Sequence, residues 1–393
     1  MAISAPLNQP AALVEEDAFE YSKNTVWRRF RKHKLAMAGA LVLLLMVLVA
    51  VFAHQLAPQD PNAIDEVHWQ GTPLAPCFQD AAACGGHSLG TDENGRDLLS
   101  RLMYGARISL TVGVAAVIME LFIGTLLGAL SGYFGTVQLR FDSKAAPAQL
   151  WTGAIAGLLV GSVGAYYVHP RLHGAALQTI VEAILIVGGA YAGWKMAGMK
   201  PWNRRAPLQD LQMEIPIDYF IMRLTDVFLS IPLLPLLLTL TGIVAASSSK
   251  ASLSFGVIVV IIGGLSWPGV ARLVRASYLS LREREYTEAA RALGNGDMRI
   301  MLRHLLPNAI APIIVQATLD VANVIVLEST LSFLGFGIQP PTASWGNMLA
   351  NAESNLEVAW WAAVFPGLCI LVTVLAINYI GDGLRDALDP NMR

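Results

Sequence analysis

Charge is scarce in this sequence. Asp, Glu, Lys and Arg supply 14% of its 393 residues, against 54% that are hydrophobic, whereas a soluble domain carries roughly a quarter charged residues. That scarcity excludes an ordinary water-soluble fold and makes the bilayer the expected solvent. The formal net charge of −2 offers no basic face to nucleic acid. Cysteine is scarcer still, three residues in all. Cys369 lies in an apolar run and reads as packing, whereas Cys77 and Cys84 sit close together in a polar stretch where an oxidising compartment can bridge them or leave them free. The phosphate-cradling word Gly-x4-Gly-Lys-Ser/Thr is missing, so ATP binding of the usual kind is not expected. Clustered His, Asp or Ser at one membrane depth is missing too, and no catalytic or metal residue is assigned. A signal-peptide order is also absent, because a long polar and acidic stretch precedes the first apolar run, which is expected to stay as an uncleaved anchor.

What is present is a series of apolar runs of about 20 residues, the length a helix needs to cross the hydrocarbon. Eight are read: Leu35 to Ala53, Ser109 to Ser131, Trp151 to Val168, Ala176 to Trp194, Tyr219 to Ala245, Phe255 to Leu273, Ala309 to Leu331 and Val358 to Ile380. With the N-terminus inside and sides alternating, the inner segments hold 22 of the 27 Lys and Arg and the outer ones four, Arg96, Arg101, Arg171 and Lys250, with Arg107 at the mouth of the second span. This asymmetry puts both termini in the cytoplasm. The third and fourth runs are Gly- and Ala-rich and would form a hairpin that leaves and returns to the same side.

Between the sixth and seventh runs lies a charged stretch, Arg272 to Ala309, that cannot be buried in hydrocarbon. Tyr286, Ala289, Ala290 and Leu293 fall on one helical face, with Arg282, Arg284 and Arg291 displaced from it. Gly294-Asn295-Gly296 stops that helix, Asp297 can cap a second short one, and Pro307 starts the return into the membrane. A helix-turn-helix projecting into the cytoplasm is expected. On physical grounds alone, an interfacial element whose arginines meet anionic head groups fits equally well.

The wording of this stretch is more specific. Glu288-Ala289-Ala290, Gly294 and Leu306-Pro307 resemble the EAA signature of ABC importer permeases, with His304 where the general pattern has isoleucine. HSLGTDENGRDLLSRLMYGARISL from His87, GYFG from Gly132, MRLTDVFLSIP from Met222, LSFLGFGIQPPTASWGNML from Leu331 and GDGLRDALDP from Gly381 resemble the C-type permease subunit of dipeptide and oligopeptide importers over most of the chain. One departure is the roughly 80 residues between Gly135 and Asp218. The resemblance implies an all-α, polytopic transmembrane bundle, a six-span permease core with an extra two-helix hairpin, about eight spans in all. It divides the chain into a cytoplasmic tail 1–34, an anchor 35–53, an external segment 54–108, a second span 109–135, an insertion 136–215, a core 216–384 with coupling helices at about 281–306, and a cytoplasmic tail 385–393. The hairpin would be a lipid-facing addition or a docking site for a further partner or lipid.

The implied activity is peptide import across the bacterial cytoplasmic membrane by a multi-pass subunit that is not itself an enzyme. Tyr286, Glu288, Ala289, Ala290, Gly294, His304, Leu306 and Pro307 would form the coupling element. ATP and Mg would be bound by one or two cytoplasmic ATPase subunits, with no cofactor in this chain. A second homologous permease and an extracytoplasmic substrate-binding protein complete the implied partners. Nickel chelates, glutathione or opines are alternative passengers within the family; a proton-coupled carrier is the alternative outside it.

Polar groups inside apolar runs are costly and usually turn inward, which makes Glu120, Asp320, Asn323 and Glu328 candidates for the translocation pathway or, more plainly, for interhelical hydrogen bonds. Trp345, Trp360 and Trp361 read as interface anchors or as part of an outer docking surface, and His54 to Arg101 as a second such surface. The basic stretch Trp27 to Lys34 is expected on the inner leaflet rather than on nucleic acid.

Overall fold

Residues 26–68, 71–79, 84–135, 137–140, 212–215, 217–247 and 255–388 are described in the structure, a computed structural model of the chain. It is nearly all helical. The helices are α1 (26–32), α2 (Lys34–Val51), α3 (Ala53–Leu56), α4 (Leu98–Phe134), α5 (Ile217–Ser230), α6 (Leu233–Ser247), α7 (Phe255–Ser266), α8 (Pro268–Leu281), α9 (Glu285–Ala292), α10 (Asp297–Arg299), α11 (Leu306–Phe333), α12 (Trp345–Ala352) and α13 (Trp361–Leu388), with a π-helical turn, Ile300–Leu305, joining α10 to α11. A two-stranded antiparallel pair, β1 (Val137–Arg140) with β2 (Gln212–Ile215), departs from the all-α expectation.

Two compact units result: residues 1–135 with 217–393, and residues 136–216. The second is described only in β1 and β2, which pair Val137 with Ile215 and Arg140 with Gln212. The predicted spans Trp151 to Val168 and Ala176 to Trp194 lie outside the described residues. In the first unit Asp218 N–H donates to Gly135 O at 3.0 Å, so the chain resumes beside the point where it left.

Among the described residues four helical stretches are long and apolar enough to cross a membrane, Lys34–Val51, Leu98–Phe134, Asp297–Phe333 and Trp361–Leu388. Two bent pairs raise the count to six: α5 with α6, at 87°, and α7 with α8, at 43°. The predicted single span Tyr219 to Ala245 is thus two helices meeting near a right angle. Pro232 explains the break, since it offers no N–H to the helix and disfavours helical geometry at Ile231 before it. Pro268 opens α8 in the same way. The second predicted span also needs correcting: α4 starts at Leu98, not near Ser109, because Asp97 caps it by accepting from Ser100 N at 2.8 Å and Ser100 Oγ at 2.6 Å. At 37 residues it is about 55 Å long, well beyond a hydrocarbon core of about 30 Å.

Helix contacts rely on small residues, as expected where lipid supplies no competing aqueous phase. A Cβ added to Gly124 would lie 2.6 Å from Val270 Cβ, one on Gly128 2.5 Å from Ala271 O, and one on Gly132 2.6 Å from Tyr278 Cβ. These glycines, spaced by four, let α4 lie directly on α8. At the far end of α4, Leu98, Leu102, Trp345, Met348, Trp361 and Ile377 form an apolar cluster. Beside it the segment between α3 and α4 is tied by inward-turned charges. Arg96 Nε donates to Asp92 at 2.7 Å, buried Arg101 reaches Asp92 at 3.3 Å and Pro61 O at 3.0 Å, and the His87 ring lies between Asp97, at 2.9 Å, and Asp65, at 3.2 Å. Cys77 and Cys84 are disulfide-bonded with Cα atoms 4.9 Å apart.

The tryptophans do not act as expected. Trp345 is fully buried and donates to Leu102 O at 3.2 Å; Trp361 is buried and donates to Thr91 O at 3.3 Å. Of the three, Trp360 alone stands exposed. Trp345 thereby ties α12 to α4, and Trp361 ties α13 to the segment that precedes α4. In the tail, Phe30 is buried with Ala36 and Ala387, so α1 packs on the end of α13 while Trp27 stays exposed.

Replacing Gly128 by Val drives a side chain into backbone, so the thermal midpoint of the detergent-purified protein, followed by tryptophan fluorescence, is expected to fall by the equivalent of about 1–3 kcal/mol or more. Gly256→Ala, where an added methyl meets nothing, should leave it unchanged or higher. A second prediction concerns acid. Burial raises the Asp65 carboxyl, but hydrogen bonds from the His68 backbone and the His68 and His87 side chains outweigh it and hold the group at about 2. A carboxylate depressed by folding stabilises above its unfolded value near 4, and the contribution is lost as pH falls through 2. The midpoint of wild type is therefore expected to drop more steeply than that of Asp65→Asn between pH 4 and pH 2.

Candidate functional site

Two features of the first unit carry chemistry. The first is the hairpin after α8. Glu285 and Glu288 sit in the first turn of α9 and Arg291 in its last, each complementing the helix dipole. The helix ends in a Schellman arrangement: Asn295 N–H donates to Ala290 O at 3.2 Å and Gly294 N–H to Arg291 O at 3.0 Å, with Gly294 at φ +79°. An added Cβ at Gly294 would meet nothing within 4 Å, so backbone handedness, not space, requires glycine there.

The buried face of α9 is narrower than the periodicity suggested. Thr287 is fully buried and donates to Leu281 O at 2.9 Å, and Ala290 packs with Tyr133, Tyr278, Ile300 and Met301. Glu288, Ala289 and Gly294 are exposed, as are Tyr286 (40%), Leu293 (83%), Met298 (57%) and Leu302 (54%). One other expectation needs correcting. Asp297 does not cap α10, whose N-cap is Gly296; its carboxylate accepts from Tyr133 Oη at 2.6 Å. Pro307 stands in the first turn of α11, as expected, although the helical path runs on from Asp297 through the π-helical turn to Phe333. The π-helical turn just before it widens the spiral, which accommodates a residue that cannot donate to the preceding turn. His304 and Leu306 are half-buried and Pro307 exposed. Tyr278, fully buried, donates to Met301 O at 3.1 Å and ties that turn to α8.

The second feature is a cavity of about 410 Å³ where both helix breaks meet α4 and α11. Its wall includes Ile231 and Pro232 from one break, Ser266 and Pro268 from the other, and the candidates Glu120, Asp320 and Asn323. Glu328 is not there. Fully buried, it accepts from Ser109 Oγ at 3.1 Å and Ser332 Oγ at 2.7 Å, in a purely interhelical and intrahelical role. Sequence reasoning overlooked Gln316, one turn before Asp320, and both breaks. The signal was a Ser-x-Pro word repeated inside apolar runs, Ser230-Ile231-Pro232 and Ser266-Trp267-Pro268.

Behind the hairpin, Arg275 of α8 grips Asp218 of α5 with two bonds, at 2.5 Å and 2.6 Å, and Ser131 of α4 donates to the same carboxylate. Arg282 Nη1 reaches Gly132 O at 3.3 Å. α4, α5 and α8 are therefore joined by polar contacts at the end where the hairpin protrudes.

Comparison with known proteins is consistent along the chain. Residues 211–393 match the family described as binding-protein-dependent transport system inner membrane component, and residues 24–76 match the N-terminal TM domain of oligopeptide transport permease C. The di/tripeptide transport system permease protein DppC of Pseudomonas aeruginosa (strain UCBPP-PA14) is 33% identical over 390 residues, 99% of this chain and 97% of that protein. The glutathione transport system permease protein GsiD of Escherichia coli O6:K15:H31 is 33% identical over 383 residues, 97% of this chain and 94% of that one. Among solved structures, a chain of the inward-facing MetNI methionine ABC transporter aligns with a TM-score of 0.36 and 16% identity, covering 62% of this chain and 93% of that one.

Gly294→Ala is expected to weaken the hairpin by about 1 kcal/mol through its left-handed backbone. Hydrogen–deuterium exchange should show faster exchange across residues 285–296, whereas Gly296→Ala, at φ −69°, should exchange as wild type does.

Proposed function

The chain belongs to the binding-protein-dependent inner-membrane components of ABC importers, and from that membership we propose that it is one of two non-identical permeases through which a peptide crosses, coupled to separate ATPases by the α9 hairpin. The observation that carries this reading is the division of α9 into two faces: Thr287 and Ala290 rooted in the bundle, Tyr286, Glu288, Ala289 and Leu293 presented outward. Exposed apolar side chains around a carboxylate, on a short helix held at a fixed angle, suit a groove on a protein partner. Glu288 offers that partner a charge, and Ala289 lets it approach closely.

ATP and Mg would be held by the ATPases, which also do the hydrolysis; this chain would contribute no catalytic group. Closure of the ATPases would displace α9, and the displacement would pass through Tyr278–Met301 and Tyr133–Asp297 to α8 and α4. Because those helices are in close backbone contact, they would respond as one rigid body. The break between α5 and α6 and that between α7 and α8 supply the places where direction can change without loss of helical bonding. Both termini would lie in the cytoplasm, with the outer segment between α3 and α4 on the opposite side, available to the substrate-binding protein. A di- or tripeptide is the passenger best supported by the relatives, one named for di/tripeptides and one for glutathione, itself a tripeptide.

The test is gentle extraction of the tagged chain from its membrane and identification of what stays bound. A second permease and P-loop ATPases should co-purify with wild type. With Glu288→Arg the permease partner should remain while ATPase recovery and transport fall by about tenfold or more, the equivalent of at least 1.4 kcal/mol. Recovery of the chain alone, active in vesicles without ATP, would establish a secondary carrier instead.

A further inference from the structure

One aromatic side chain between α3 and α4 is turned out of the fold and is still firmly placed. Phe78 is 66% exposed. Its neighbour Cys77 is bonded to Cys84, which is buried, and Pro76 is buried as well. Ala75 and Leu89 root the same stretch in the apolar cluster that holds Trp361 and Phe365. A Cβ added to Gly90 would lie 2.6 Å from Leu74 O and 2.9 Å from Trp361 Nε1, so this part of the chain lies directly on the start of α13. There the Phe78 ring meets Phe365 edge to face, with centroids 6.5 Å apart, and Phe365 in turn lies 6.4 Å from Trp360.

The depth of this aromatic group follows from the two helices beside it. α2 and α13 run antiparallel, with Gly39 against Ala376 and Ala36 against Gly383, and their charged ends meet where His33 Nε2 comes within 3.8 Å of Asp386. Neither helix carries a charge between Lys34 and Phe52 or between Phe365 and Asp382. At 1.5 Å per residue, Phe52 stands about 27 Å from Lys34 and Phe365 about 30 Å from Arg385, and a hydrocarbon core is about 30 Å thick. The charged ends therefore mark one boundary of the core, and Phe52 and Phe365 the other. Between the two, α13 exposes Leu368, Leu371 and Leu375 along one face, with Phe365 at the edge of that stripe. Phe78 extends the stripe by one ring. Trp360, also exposed, adds an indole of the kind that settles at the headgroup level. A surface so placed and so devoid of charge suits lipid better than a water-soluble partner.

We propose that Phe78 and Trp360 are seated in the bilayer at the headgroup boundary, and that phospholipid is what covers them. The leaflet concerned is the one beside the segment between α3 and α4, the outer leaflet in the orientation proposed above. A segment that reads from its sequence as wholly aqueous is thus fastened to the lipid at one ring as well as to the bundle. Its height over the membrane, and the height at which anything docks on it, is then set in part by the bilayer.

The test places the photoreactive analogue benzoylphenylalanine at position 78 of the full-length chain in the membrane of the producing cell. A second preparation carries it at position 368, on the lipid-facing stripe, as the reference. After irradiation, mass spectrometry of the peptides is expected to find phospholipid joined to position 78 as it is to position 368. An adduct to a second permease or to a binding protein in place of lipid, or no adduct at 78 while 368 is labelled, would overturn the proposal. If the analogue at 78 prevents folding, Trp360 decides. In nanodiscs, the part of the tryptophan fluorescence that Trp360→Phe removes should be quenched by phospholipids brominated high on the acyl chain, and less by those brominated near its end. Fluorescence from Trp360 that neither lipid quenches would place the cluster in water and defeat the reading.

Discussion

Three glycines on one face of α4 set the distance at which it meets α8, and both functional features hang from that contact. Gly124, Gly128 and Gly132 bring the two backbones to within a missing methyl group of collision. Just above the contact Glu120 enters the cavity; just below it Tyr133 and Tyr278 hold the turn that returns from the coupling hairpin. A looser interface would leave α4 and α8 free to slide, and the hairpin and the cavity would then move independently. Close packing of small residues makes them one object, so a displacement of the hairpin would be felt at the cavity some turns away without a dedicated relay.

Polar contacts do a different job here. The Asp218–Arg275 pair, with Ser131 beside it, joins three helices where the bundle leaves the apolar region, and the inward-turned Arg96, Arg101, Asp92 and His87 give the outer segment a core it could not assemble from hydrophobic residues alone. In the first case the charges satisfy one another, as buried charge requires, whereas in the second Arg96 Nη2, Arg101 Nε and Arg101 Nη2 stay buried without a hydrogen-bond partner.

Much of this was legible in the sequence, for identifiable reasons. Apolar runs announce helices because the bilayer demands length and composition together, so α2, α4, α11 and α13 were visible with displaced ends. The hairpin was visible because its charges forbid burial and Gly294 stops a helix. Glu120, Asp320 and Asn323 were visible because polar groups are expensive in hydrocarbon. What stayed hidden depends on direction or on distant partners. Hydrophobicity does not say that the run from Tyr219 to Ala245 turns a right angle at Pro232. Nothing local to Glu328 says that Ser109, 219 residues earlier, will occupy its carboxylate. Trp345 and Trp361 read as membrane anchors until the outer segment folds over them.

The strand pair β1–β2 has a consequence for how such a chain changes over generations. Its register brings residues 137 and 215 together, and Asp218 bonds to Gly135 where the frame resumes, so the chain leaves the first unit and re-enters it at one place. Lengthening a loop whose ends already meet costs little entropy, about 0.6 kcal/mol per doubling. The closure of the two ends is thus nearly independent of how many residues lie between them, and over generations length can be gained or lost at that junction without reopening it.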